Sequence, residues 1–203
     1  RLVVADFANH TADPTLGQSL TEAFRIDLAQ TRVVSLVSGA AVAEALTRMQ
    51  RSPAAPLTAD LAREVATREG AKAVVAGEIG MVGEGFVLSA RLLSAADGSE
   101  LVALRETAAD ARGLIAALDR LSNRLRERIG ESLRTIRAGP PLERVTTTSL
   151  AALKLYSDGV RGHNQSDYAG AERSFEEALA LDSTFAMAWR RIALSAGGGA
   201  RFN

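Results

Sequence analysis

Apolar positions recur along this chain with two different periods, and the changes of period mark its elements. Leu2 to Phe7 is a short apolar run followed by turn-forming residues from Asn9 to Pro14, the pattern of a buried strand. Leu16, Leu20, Phe24 and Leu28 recur every four residues, which puts them on one stripe of a helix. Val33 to Val37 is short and β-branched and predicts a second strand. Ser38 and Gly39 punctuate it, and Val42, Leu46 and Met49 mark a second helix. After the break at Ser52 to Pro56, Thr58 is placed to cap a third helix carrying Leu61 and Val65 and closed by Gly70.

From Ala73 the period becomes two. Val75, Ile79 and Met81 alternate with small or polar residues, Gly83 to Gly85 turns the chain, and Phe86, Leu88, Ala90 and Leu92 alternate back. Asp97-Gly98 is a hairpin signal, and Leu101 to Thr107 is the third strand of this meander. Asp110 is expected to cap one long helix that carries Leu114, Leu118, Leu121, Leu125, Ile129, Leu133 and Ile136 and ends at Gly139-Pro140-Pro141. The order β-α-β-α-α-β-β-β-α predicts an α/β (α+β) domain over residues 1–137, a mixed sheet covered by helices. A linker over 138–147 and an all-α region over 148–203 follow.

The all-α region carries small and large residues at fixed intervals. In the stretch from Asp167 to Asp182, Ala171 and Ala178 let two helices approach closely and Phe175 fills the space between them, while Gly159 admits close contact from the preceding helix. Trp189 lies 34 residues after Leu155, and Ala193 34 after Gly159. This resembles the tetratricopeptide pattern, whose period is about 34 residues. It implies one full repeat and the first helix of a second. Ser183 stands where that pattern usually has Pro, and Gly162 where it usually has an aromatic residue.

Two further resemblances concern the whole chain. The opening strand running into Asp6-Phe7-Ala8-Asn9-His10-Thr11, the helix that begins near Leu16-Gly17, and the strand Ala73 to Ile79 leading to a hairpin with Ala96-Asp97-Gly98 resemble the TolB amino-terminal-like family, seen also in FlgO and related envelope proteins. The stretch Val145 to Gly159, together with Leu181 to Ala188, is similar to the repeat entry downstream of bacterial serine/threonine kinase domains. Those kinases carry a TolB-like domain and then tetratricopeptide repeats. The resemblance implies a non-catalytic sensory or interaction region, the carboxy-terminal part of a membrane-anchored kinase on the extracytoplasmic side, with the cytoplasm as the other compartment. The alternative it leaves open is a structural, oligomerising subunit of a bacterial envelope assembly. The opening on Arg1 and the end soon after Trp189 are read as the ends of a fragment.

Composition narrows the chemistry. The 203 residues carry 24 basic and 24 acidic side chains, so no excess charge points to nucleic acid or an anionic membrane surface. Nearly all the basic residues are Arg, Lys72 and Lys154 being the exceptions. Without Cys there is neither a disulfide nor a thiolate metal site. No apolar run reaches the length of a membrane span of roughly 18 residues or more. No Gly-rich phosphate loop, His-Arg-Asp or Asp-Phe-Gly motif is present, so kinase activity is not assigned to this chain.

Candidate site residues follow from these limits. His10 and His163, the two histidines, fall in different regions without a second ligand at metal spacing, so neither a metal nor a cofactor is expected. Gly77, Gly80, Gly83 and Gly85 have the wrong order for a dinucleotide fingerprint and read as hairpin glycines. Asp6 and Glu78 would form an acid pair only if their strands brought them into one cleft, as a small hydrolase would require. Arg120, Arg124, Arg126, Arg128, Arg134 and Arg137 interleave with Asp119, Glu127 and Glu131 and read as a solvated helix face. The expected site is therefore a partner-binding groove in the repeat, presenting Tyr156, His163 and Arg190 to a protein or peptide.

Overall fold

A computed structural model describes residues 1–199, with side chains through Ser195. Residues 200–203, the end of the expected repeat region, lie outside the described residues. The mixed α/β architecture read from the sequence is present: a five-stranded sheet with helices on both faces.

The sheet is built around β3 (Ala73–Val82). Two short strands, β1 (Leu2–Val4) and β2 (Ala8–His10), lie in line along one side of it, both parallel to it: Val4 pairs with Val75 and Ala8 with Glu78. On the other side β4 (Gly85–Ser94) and then β5 (Glu100–Ala108) follow as an antiparallel meander. The expected single strand Leu2 to Phe7 is thus two strands with a break, and the predicted turn at Asn9 begins inside β2. The reason lies at Phe7. A side chain at Gly77 would occupy the space of the Phe7 ring, so the ring lies over the bare backbone of β3. It meets Phe24 edge to face at 5.3 Å. The strand bends to deliver that ring. The expected strand at Val33 to Val37 is reduced to one bridge, in which Leu2 N donates to Ser35 O and Val37 N to Leu2 O.

Helix α1 (Leu16–Leu28) lies on one face with Leu20, Phe24 and Leu28 fully buried. Helices α2 (Gly39–Arg48) and α3 (Ala59–Arg68) cover the other face over β1 and β3. Ser38 and Thr58 cap them, accepting from Ala41 N and Leu61 N. After β5, Asp110 accepts from Arg112 N and Gly113 N and starts α4 (Leu114–Arg128). The long helix expected to continue to Ile136 stops here. Gly130 takes φ +100, which breaks the helix, and Ser132 caps a separate α5 (Leu133–Ala138). The stretch read as a linker contains α6 (Leu142–Val145), with Leu142 fully buried and its N–H donated to Asp119 Oδ1 at 2.8 Å. It is part of the packed structure.

Helices α7 (Leu150–Asn164) and α8 (Tyr168–Leu181) form an antiparallel hairpin, and α9 (Ala186–Gly199) follows. A Cβ on Gly159 would lie 2.5 Å from Phe175 Cε1, so that glycine sets the approach of the two helices. Tyr156, Phe175 and Phe185 form the aromatic centre, with ring centroids 5.5 and 4.9 Å from Tyr156. The hairpin leans on α1: Gln18 Nε2 donates to Ser157 O, Arg161 Nη1 donates to Gln18 Oε1, and Lys154 pairs with Asp13. One cluster of buried residues runs from Leu2 through α1 and α7 to Ala188.

A charged group lies buried beneath α1 and α4. Arg126 holds Glu131 in two hydrogen bonds of 2.9 and 3.1 Å, and Asp27 Oδ1 lies 3.9 Å from Arg126 Nη1. All three side chains are almost wholly enclosed. Burial pushes the Asp27 carboxyl up to about 6, against the pull of Ser122 and Arg126. An acid raised in the folded state adds stability that is fully present below its unfolded value near 3.8 and is lost as the pH rises through about 6. Asp27→Asn should therefore gain stability relative to the wild type between about pH 4 and 6, by on the order of 2–3 kcal/mol at most, and keep that gain above. Denaturant unfolding of both proteins across this range checks it; a difference independent of pH would show that Asp27 is not protonated in the fold.

Candidate functional site

A concavity of about 770 Å³ lies where the helical hairpin meets the α/β layer. Helix α1 contributes Glu22, Arg25 and Ile26, and the turn after it Gln30; the bridge segment and the start of α2 contribute Leu36 to Ala40, Ala43 and Glu44. The opposite wall is Tyr156, Val160 and His163 of α7, Tyr168 at the start of α8, and Met187, Arg190 and Arg191 of α9. The cleft owes its shape to the lean of α7 on α1, which leaves α2 and α9 standing apart on either side.

Its charges divide into answered and unanswered ones. Arg25 is tied down: Nη2 donates to Val4 O at 2.8 Å, Nη1 lies 3.2 Å from Glu22, and Asp6 is 3.9 Å away. Glu44 lies 3.9 Å from Arg48 on its own helix. Among the described residues, neither Arg190 nor Arg191 has a carboxylate within ion-pair distance. Burial pushes the Tyr156 hydroxyl up while Arg191 beside it pulls the other way. Gly39 and Ala40, the first residues of α2, bring the positive end of that helix to the cleft wall.

The three residues expected from the sequence all line this cleft, in different capacities. Tyr156 is 1% exposed and belongs to the aromatic centre, so it forms the floor and cannot reach out to a partner. His163 is half-buried and meets the Tyr168 ring edge to face at 5.2 Å. Arg190 is exposed at the rim. The walls supplied by α1 and α2 were invisible to a reading confined to the repeat. Arg191, next to Arg190, was visible as a pair of like charges; Arg25 is brought there only by the fold.

Comparison with known proteins changes the kinship read from the sequence. No family model and no curated protein matches the chain. Among solved structures it is similar to the LpoB C-terminal domain from Escherichia coli, at 23% identity over 53% of this chain and 80% of that one, with a TM-score of 0.49. It is similar also to the PelC dodecamer from Paraburkholderia phytofirmans, at 17% identity over 65% and 88% with a TM-score of 0.45. A third is lipoprotein GNA1162 from Neisseria meningitidis, at 16% identity over 65% and 97% with a TM-score of 0.44. These replace the expected relatives. None of these three structures is a TolB-like, tetratricopeptide or kinase protein, and the reading of the chain as a kinase's carboxy-terminal region is overturned with those resemblances. Small residues at helix contacts, such as Gly159 and Ala171, follow from the close approach of any two helices and do not mark a family.

The remaining candidates disperse. Asp6 accepts from Leu57 N at 2.8 Å, and Glu78 pairs with Arg91 at 2.8 Å. They line separate concavities, so they do not form the acid pair a hydrolase would need. His10 is exposed at the end of β2. Among the described residues no group of three or more His, Asp or Glu could hold a metal ion. The Arg-rich face of α4 is not uniformly solvated either: Arg126 is buried, and Arg120 and Arg124 reach β5.

Because Tyr156 is enclosed by two aromatic rings, Tyr156→Ala should cost about 3–5 kcal/mol of folding stability. His163→Ala, at the half-buried wall, should cost no more than about 1 kcal/mol. Chemical denaturation separates the two; equal and small losses would place Tyr156 on the surface of the cleft.

Proposed function

We propose that this chain is a non-catalytic protein-binding unit of a bacterial envelope assembly, working on the extracytoplasmic side, and that it receives an acidic, partly apolar peptide segment of its partner in the cleft between α1–α2 and α7–α9. The observation that carries the reading is the cleft's mismatch of charge. Its acidic side chains already have arginine partners, while Arg190 and Arg191 face it without a carboxylate among the described residues. Half-buried apolar side chains between these charges, Ile26, Leu36 and Met187, give a peptide surface to cover. Polar groups at the rim would fix its register. One similar structure is described as a lipoprotein and another as a dodecamer. Both descriptions suit an assembly unit, and the reading does not depend on them.

The test is titration of fluorescent peptides rich in Asp, Glu and Leu, with Lys-substituted peptides of the same length as controls. The wild type should prefer the acidic set, and Arg190→Glu/Arg191→Glu should lose at least about tenfold in affinity, since a charge-assisted hydrogen bond contributes roughly 1.5–3 kcal/mol. The circular dichroism spectrum should stay unchanged. Equal binding of acidic and basic peptides, or unchanged affinity in the double variant, removes the cleft as the binding surface.

A further inference from the structure

The sheet has one long free edge, and it is closed from within the chain. Among the described residues β5 pairs only with β4. Two of its carbonyls accept hydrogen bonds from α4: Arg124 Nη1 donates to Arg105 O at 2.8 Å and Arg120 Nη2 to Thr107 O at 3.1 Å. In an antiparallel strand the N–H and C=O of one residue point to the same side, and successive residues alternate. Arg105 and Thr107, and Ala103 two residues earlier, therefore turn their backbone groups away from β4. These are the groups a further strand would use.

The two arginines are held in place by a third side chain. Glu106, between the two capped residues and on the α4 side of the sheet, binds Arg120 Nε at 3.1 Å and Arg124 Nη1 at 2.6 Å. Its side chain is only 16% exposed although both arginines are about half exposed. Burial works to raise the Glu106 carboxyl, and the bonds from Arg124 and Arg120 outweigh it, so the group stays ionised and the brace charged.

Unprotected edges invite pairing with another copy of the same strand, and charged residues at the edge are a common protection. The sequence of β5 works in the same direction. An antiparallel match of two copies centred on Arg105 sets that arginine against itself. We propose that Arg120 and Arg124, braced on Glu106, form a strap that closes the free edge of the sheet to strand addition by a second copy of this chain. The strap is distinct from the peptide cleft, to which none of its three residues contributes.

Arg120→Ala/Arg124→Ala opens the edge without touching the core or the cleft. By sedimentation velocity this variant should self-associate at a concentration at least tenfold below any at which the wild type does. The amide of Ala103 should become protected from hydrogen exchange as the larger species forms. Adding Ala103→Lys, which sets like charges against each other across the new contact, should return the variant to wild-type behaviour. A folded double variant that sediments like the wild type overturns the proposal, as does association that persists with Ala103→Lys. Should the double variant not fold, Glu106→Gln, which keeps the shape and slackens the brace, should raise self-association in the same assay; no change there overturns the proposal equally.

Discussion

Helix α1 is enclosed on several sides, and the rest of the molecule is arranged by that. Its Phe24 reaches the Phe7 ring that bends the first strand over Gly77, its Asp27 lies within the ionic group of α4, and its Gln18 bonds to α7. An ordinary sheet-covering helix hides one stripe and shows water the other. Here further faces are taken by the opening strand segment, α4 and the hairpin, and Ser19, Thr21 and Asp27 are buried together with the leucines. Each polar group must then find a partner inside. Thr21 does so by accepting from Phe7 N, which fixes the strand break, and Ser19 by donating to Thr15 O. A single core therefore joins what the pattern along the chain presents as two regions and a linker.

The sequence carried the elements further than their relations. Helices α1, α2 and α3 and the meander β3–β5 follow from periodicity and caps because those signals are local. The break between β1 and β2 does not, since it answers a ring packing on a glycine 70 residues away. Gly130 ends the long helix, yet the apolar spacing runs through Ile129 to Ile136 as though no glycine intervened, and it masks the break. Gly139-Pro140-Pro141 suggests a free linker, yet Leu142 and the buried Thr146 and Thr147 anchor the stretch beside α4 and α8, the last through Thr147 Oγ1 to Asp182.

The cleft shows the same division. Residues of one helix face are legible from spacing, so Tyr156, His163 and Arg190 could be gathered from the hairpin alone. What the spacing cannot tell is which of them the fold consumes. Tyr156 is spent on the aromatic centre, whereas Arg190 stands at the rim. The opposite wall depends on the bridge Leu2 to Leu36, which sets the start of α2 beside α1 and has no signature along the chain.

With equal numbers of acids and bases and almost no lysine, the chain's surface behaviour rests on where its arginines find partners. The guanidinium group offers five donors in a fixed plane, so it can bind a carboxylate and a backbone carbonyl at once. Arg25 does this with Glu22 and Val4 O; Arg120 and Arg124 do it with Glu106 and two carbonyls of β5. Both uses hold an arginine against its own chain and close a surface that would otherwise offer bare backbone. Arg190 and Arg191 are not held in this way among the described residues. Net neutrality over the whole sequence thus conceals a local distinction. At the sheet's edge Arg120 and Arg124 are already bound, while in the cleft Arg190 and Arg191 remain available, so the two surfaces differ in what they can accept.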